Sequence, residues 1–146
     1  MVDSSIVLRK LETLETHHSQ ISQYAGLTAR EYNADWKVQR IIERTLQIMI
    51  EICVDIASHI ISDKGFRTPA TYADTFRVLN ENGVIPDALY FTMEKMSKFR
   101  NIVVHQYETI DTEIVLSILR KNLADFTRYR EAIIFLLRNE KNQSGA

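Results

Sequence analysis

Residues 38–61 read VQRIIERTLQIMIEICVDIASHII and form the centre of the longest predicted helix, 29–63, which Gly65 ends. Its apolar positions cover more than the single stripe of a helix packed on one side. They are Val38, Ile41, Ile42, Leu46, Ile48, Met49, Ile52, Cys53, Ile56, Ala57, Ile60 and Ile61. This helix would be roughly 50 Å long, whereas a globule of this mass is about 30–35 Å across. We therefore expect a partner subunit to bury the second surface, unless a kink at 33–35 shortens the helix.

Capping and turn residues mark the other helices. A first helix is predicted over 4–24, and Thr28 with Glu31 forms a capping box before the long helix. Further helices are predicted to begin at Thr68-Pro69, Pro86 and Asp111. With only 4 glycines and 2 prolines, the chain favours long helices over sheets. We predict an all-α, up-and-down bundle of about five helices, homodimeric, with one domain over 1–141 and a disordered tail over 142–146.

The composition is that of an ordinary globular domain, with 45% hydrophobic and 25% charged residues. The single cysteine, Cys53, can form no internal disulfide, which favours a reducing compartment. No stretch approaches the roughly 20 apolar residues that span a bilayer, and the N-terminus lacks the features of a signal peptide. We expect a cytoplasmic protein that contacts no membrane. Because the net charge is −1, binding of nucleic acid would need locally gathered cations.

The sequence offers little that could hold a metal or a nucleotide cofactor. The four glycines are isolated, so no phosphate-cradling loop is predicted. Asp55 and His59 lie four residues apart on the long helix and could ligate a metal. A hydrogen bond or an ion pair is the commoner outcome of that spacing, and no third ligand is near in sequence. We therefore predict neither a metal site nor a cofactor.

Residues 95–107, KMSKFRNIVVHQY, gather three cations, a histidine and a tyrosine where the helical pattern weakens. On a regular helix Arg100 and His105 would lie about 140° apart. A helix that loosens at Val103-Val104, whose branched side chains are weaker helix formers, would let them converge on one cleft. Arginine matches a phosphate with its donor fork and histidine moves protons near neutral pH, so the pair suits RNA cleavage. On the residues alone, such a pair near a helix end is more often structural.

The string Arg100-Asn101-x3-His105-x-Tyr107 is similar to the R-x4-6-H motif of HEPN-domain ribonucleases. Its x-Tyr ending resembles the extended motif of the HepT toxins within that group. The resemblance also covers the chain length, the order of the helices and the long second helix, which carries ERTLQ at 43–47. It implies a homodimer in which the motif arginine and histidine line a cleft at the subunit interface.

The resemblance also implies a catalytic role for each of these residues. His105 would act as general base or acid on the RNA 2′-hydroxyl or the leaving oxygen. Arg100 would stabilise the charge that develops on the phosphate, and Asn101 would hold the motif or contact the phosphate. Internal attack by the 2′-hydroxyl needs no metal, leaves a 2′,3′-cyclic phosphate and spares DNA. Both tRNA and mRNA are open as targets.

HepT toxins are paired, in type VII toxin–antitoxin systems, with MntA, a minimal nucleotidyltransferase antitoxin. The resemblance implies that such a partner transfers AMP to Tyr107, where the added charge and bulk would block the substrate phosphate. It also allows a higher complex of the dimer with the antitoxin. Two alternatives stay open. The chain could be a non-catalytic helical partner or nucleotide-binding subunit of a nucleotidyltransferase, or it could be a purely structural helical dimer. The sequence does not separate them, because binding and cleaving a phosphodiester draw on the same residue types.

Overall fold

The computed structural model describes residues 2–106 and 108–144, which fold into helices with no strand among them. The α-helices are α1 (Ser4–Ser22), α2 (Ala29–Ala34), α3 (Trp36–Lys64), α4 (Tyr72–Glu81), α5 (Asp87–His105), α6 (Thr112–Ser117) and α7 (Leu123–Ser144). A π-helical turn, Ile118–Asn122, joins α6 to α7. The predicted all-α class is confirmed, and the homodimer stays a prediction.

The helix predicted over 29–63 is divided at Asp35 into α2 and α3. Asp35 has an extended backbone with φ −130° and ψ 98°, which no helix can continue through. Its carboxylate accepts hydrogen bonds from the backbone N–H groups of Lys37 and Val38, and it thereby caps the start of α3. The kink that the sequence left open is therefore present. It shortens the long helix to 29 residues.

The core is built around α3, which packs against α1, α4 and α5. Most of its apolar side chains are completely buried among those helices: Ile42, Leu46, Met49, Ile50, Cys53, Ile56, Ala57 and Ile60. Ile41 is 48% exposed and Val38, Ile48 and Ile52 are only half-buried in the single chain, so a partner subunit that covers this second surface stays a prediction. Among the described helices only α3 is long and apolar enough to cross a membrane, and half of its most apolar stretch is buried inside the bundle.

Two local signals read from the sequence are confirmed. Thr28 and Glu31 form the predicted capping box at the start of α2, each side chain accepting a hydrogen bond from the other residue's backbone N–H. Gly65 ends α3 in the left-handed conformation, with φ 68°, a region that glycine enters without steric cost.

The start of α4 differs from the prediction. We expected Thr68-Pro69 to open it, but α4 begins at Tyr72 and its cap is Thr71. The Thr71 hydroxyl accepts a hydrogen bond from the Asp74 N–H, while the Asp74 carboxylate accepts one from the Ala70 N–H at 2.9 Å. This reciprocal pairing fixes the backbone just before Tyr72, so the helix begins three residues after Pro69.

The C-terminal part begins at its predicted cap and extends further than expected. The Asp111 carboxylate accepts a hydrogen bond from the Glu113 N–H at the start of α6. α7 then runs through Ser144, so residues 142–144 of the expected disordered tail are helical. Residues 145–146 lie outside the described part of the chain.

α5 carries the motif segment and stays helical through His105. The backbone N–H of Gln106 still donates to the Ile102 carbonyl at 2.9 Å, which continues the helical pattern to the last residue. Val103 and Val104 are half-buried, and Val103 packs against the core. The loosening at Val103-Val104 that would let Arg100 and His105 converge is therefore absent from α5, because packing outweighs the small propensity cost of a branched side chain.

Candidate active site

Arg100 is held by Glu51 and Tyr72 in the groove between α3, α4 and α5. Its Nε–H and Nη2–H donate to one carboxylate oxygen of Glu51, at 2.9 and 2.8 Å. Its guanidinium lies over the Tyr72 ring, 4.6 Å from the centroid, a cation–π contact. Only 18% of the Arg100 side chain is exposed. The arginine is therefore ordered before any substrate arrives.

Glu51 is in turn fixed by its own helix. Gln47, one turn earlier on α3, donates to the same Glu51 oxygen at 3.2 Å. Burial alone would raise the pKa of Glu51, but the hydrogen bonds from Arg100 and Gln47 and the positive charges of Arg100 and Arg44 outweigh it and hold that pKa below its ordinary value. The carboxylate is thus charged at neutral pH and forms a true ion pair with Arg100.

Asn101 lies beside the arginine and is exposed. The Arg100 Nη1–H donates to the Asn101 side-chain oxygen at 3.3 Å. Among the described residues that were predicted to act with Arg100, Asn101 contacts it and His105 does not. This contact fits the supporting role expected for Asn101.

His105 is the last residue of α5 and its side chain is exposed. Because α5 is regular between the two residues, Arg100 and His105 project about 140° apart around the helix axis. Within the described residues of this one chain, the guanidinium faces Glu51 and Tyr72, and no hydrogen bond holds the imidazole. One chain alone does not bring the two groups to a shared cleft.

A surface cleft of about 310 Å³ opens where the end of α5 meets the first half of α3. Its lining combines both signs of charge with apolar and amide groups: Arg40, Glu43, Arg44, Gln47, Val103, Gln106 and Glu108. Arg40 is paired with Glu43 at 2.9 Å. Tyr107, the expected AMPylation site, lies outside the described residues.

Sequence reasoning identified neither Glu51 nor Tyr72 as a site residue. Glu51 is the single charged residue inside the run Ile48 to Val54, and a charge in such a run needs a partner when the helix is central. This pattern predicts that Glu51 has a polar or charged partner but does not identify that partner. Arg100 lies 49 positions away, so only the packing of α5 on α3 identifies it.

The family description "Ribonuclease HepT-like" matches residues 14–133, a range that contains the whole motif. The chain is 29% identical over 130 residues to the mRNA nuclease HepT of Shewanella oneidensis, which covers 89% of this chain and 97% of that protein. It is 23% identical over 128 residues to the tRNA nuclease HepT of Aphanizomenon flos-aquae, which covers 88% of this chain and 87% of that protein.

The fold agrees with these sequence matches. The tri-AMPylated Shewanella oneidensis HEPN toxin, solved in complex with an MNT antitoxin, superposes with a TM-score of 0.81 at 29% identity. The similarity covers 91% of this chain and 98% of that one. The resemblance first seen in the motif thus extends over nearly the whole domain. The chain belongs to the HepT-like family of HEPN ribonucleases.

Proposed function

We propose that this protein is the ribonuclease toxin of a cytoplasmic toxin–antitoxin pair and that it cleaves RNA without a metal ion. The observation that carries the proposal is the family match over residues 14–133. That range includes Arg100 and His105, and relatives of this chain include an mRNA nuclease and a tRNA nuclease. The ordered guanidinium of Arg100 supports it, since a phosphate needs a positioned partner with donors.

In the proposed reaction His105 removes the proton of a ribose 2′-hydroxyl. The resulting oxyanion attacks the adjacent phosphorus, and the bond from phosphorus to the 5′-oxygen of the next nucleotide breaks. That oxygen takes up a proton from solvent as it leaves, so the products are a 2′,3′-cyclic phosphate and a 5′-hydroxyl. Arg100 stabilises the extra negative charge on the phosphate oxygens in the transition state, while Asn101 supports the arginine. DNA lacks the attacking hydroxyl and is not a substrate.

The divergence of the two catalytic side chains favours a homodimeric site. Arg100 and His105 of one chain point about 140° apart on a regular helix, and the guanidinium is anchored to Glu51. A two-fold axis near the end of α5 would bring Arg100 of one subunit towards the partner's His105. We therefore propose that each reaction centre is shared between two subunits.

The partner that controls this activity is proposed to be a minimal nucleotidyltransferase antitoxin. The related Shewanella toxin is AMPylated in its complex with an MNT antitoxin. Tyr107 is the motif tyrosine of this chain, two positions after His105. An adenylate there adds negative charge and bulk beside the position that the substrate phosphate must take. Incubation with the antitoxin and ATP should add adenylyl mass to the wild type and none to Tyr107→Phe.

The test of the proposed activity is RNA cleavage in excess EDTA. Wild type should cleave, whereas Arg100→Ala and His105→Ala should not, and His59→Ala serves as a control histidine on another helix. The product end should be a cyclic phosphate, which mass spectrometry identifies. RNA binding without cleavage by the wild type would refute the ribonuclease and favour a binding subunit.

A further inference from the structure

The Arg100 guanidinium uses three of its N–H groups inside the protein. Nε and Nη2 each donate one to Glu51, and Nη1 donates one to Asn101. A guanidinium carries five N–H donors in one plane. Within the described part of the chain, one N–H on Nη1 and one on Nη2 therefore remain, which is the number that two oxygens of a phosphate can accept.

The plane of that guanidinium is fixed by groups that are themselves fixed. Tyr72, the first residue of α4, covers one face at 4.6 Å from the ring centroid. Glu51, in the middle of α3, accepts along one edge and is oriented by Gln47 at 3.2 Å. Because Glu51 holds one edge of the guanidinium and Tyr72 covers one face, the Arg100 side chain cannot rotate as a free arginine would. Both contacts come from helices that differ from the one carrying the arginine.

We propose that Glu51 and Tyr72 are positioning residues for Arg100, which aim its two remaining N–H groups at the scissile phosphate. This role rests on the proposed ribonuclease function. A carboxylate beside a phosphate-binding arginine lowers the net positive charge of the site, so it weakens ground-state attraction. Its benefit is orientation, because a group held in place before the reaction stabilises the transition state without reorganising. The role should therefore appear in the cleavage step more than in RNA binding.

The test compares steady-state cleavage by wild type, Glu51→Gln, Glu51→Asp and Tyr72→Leu, with kcat and KM determined separately. Glutamine keeps the size of Glu51 but removes its charge, so kcat should fall about tenfold to a hundredfold, the range that a misplaced catalytic group costs. KM should change little. Glu51→Asp should keep more activity than Glu51→Gln because it keeps the carboxylate. Tyr72→Leu should lower kcat in the same direction.

Glu81→Gln is the matched control. Glu81 accepts from the Nε–H and Nη2–H groups of Arg67 at 2.9 Å each. It thus pairs with the same edge of a guanidinium as Glu51 does, through both of its oxygens rather than one, and it makes no hydrogen bond to Arg100. Its kcat should equal that of the wild type. Thermal melting and light scattering on every variant show whether fold and assembly are kept.

The outcomes separate the two proposals. An inactive wild type would overturn the ribonuclease function and this role with it. An active wild type with unchanged kcat in both Glu51→Gln and Tyr72→Leu would overturn the positioning role alone. A fall in kcat that is matched by a loss of folded or assembled protein would also overturn it, since the residues would then be structural.

Discussion

If each reaction centre is shared between subunits, two inactive variants should restore each other's activity. Arg100→Ala retains His105, and His105→Ala retains Arg100. In a mixed dimer one of the two centres then has both catalytic groups and the other has neither. Such complementation is possible only when the arginine and the histidine of one centre come from different chains.

The expected recovery of cleavage activity follows from the geometry of the two side chains and from random pairing of the subunits. Five residues of regular helix turn about 500°, which leaves the two side chains about 140° apart. The guanidinium cannot swing round, because Glu51 accepts two of its hydrogen bonds at 2.9 and 2.8 Å. Random pairing of equal amounts gives about half mixed dimers, each with one working centre out of two, so the mixture should reach about one quarter of wild-type activity.

The assay mixes the two variants under conditions that allow subunit exchange and follows cleavage of a labelled RNA in EDTA. Native mass spectrometry confirms that mixed dimers form. As a control, Arg100→Ala mixed with the double variant Arg100→Ala/His105→Ala should stay inactive, since no chain supplies the arginine. Mixed dimers that cleave no faster than either parent would refute the shared centre and place both groups within one chain.

Two further predictions concern stability. Tyr129 is fully buried and its hydroxyl donates to the Cys53 carbonyl at 2.8 Å, so Tyr129→Phe should lower the free energy of unfolding by about 1 kcal/mol in urea titrations; an unchanged midpoint would contradict this. The pKa of Asp74 lies well below its ordinary 3.8 because of hydrogen bonds from Arg67 and the Ala70 N–H, so Asp74 stabilises the fold above about pH 4 and this contribution is lost on acidification. Urea midpoints measured from pH 7 downwards should fall less in Asp74→Asn than in the wild type, and parallel curves would count against the assignment.

The parts of the fold that follow from neighbouring residues were predictable. The capping box of Thr28 and Glu31 and the glycine stop at Gly65 each depend on atoms within a few positions of the chain. The apolar pattern of 38–61 likewise indicated a helix buried on more than one side. It could not say what buries it, because an apolar surface covered by the same chain and one covered by a second subunit have the same pattern.

The wrongly predicted start of α4 shows a second limit of prediction from sequence. Thr68-Pro69 and Thr71 are both acceptable helix starts by residue type. The choice between them depends on the Asp74 carboxylate, which accepts from the Ala70 N–H and also from Arg67. Several weak local preferences compete here, and the set of hydrogen bonds that can form together decides between them.

The motif was the most informative stretch of the sequence, yet its geometry was the part least open to prediction. Propensity at Val103-Val104 suggested that the helix must loosen to bring Arg100 and His105 together, and packing keeps it straight instead. A straight helix with divergent catalytic groups makes sense if the centre is completed by another copy of the chain. The spacing of four intervening residues then keeps the histidine free for a partner, while the arginine faces inwards to Glu51, which orients it. Side chains of Arg100 and His105 that point apart would weaken a site within one chain. In a two-fold symmetric dimer they let each site take its arginine from one subunit and its histidine from the other.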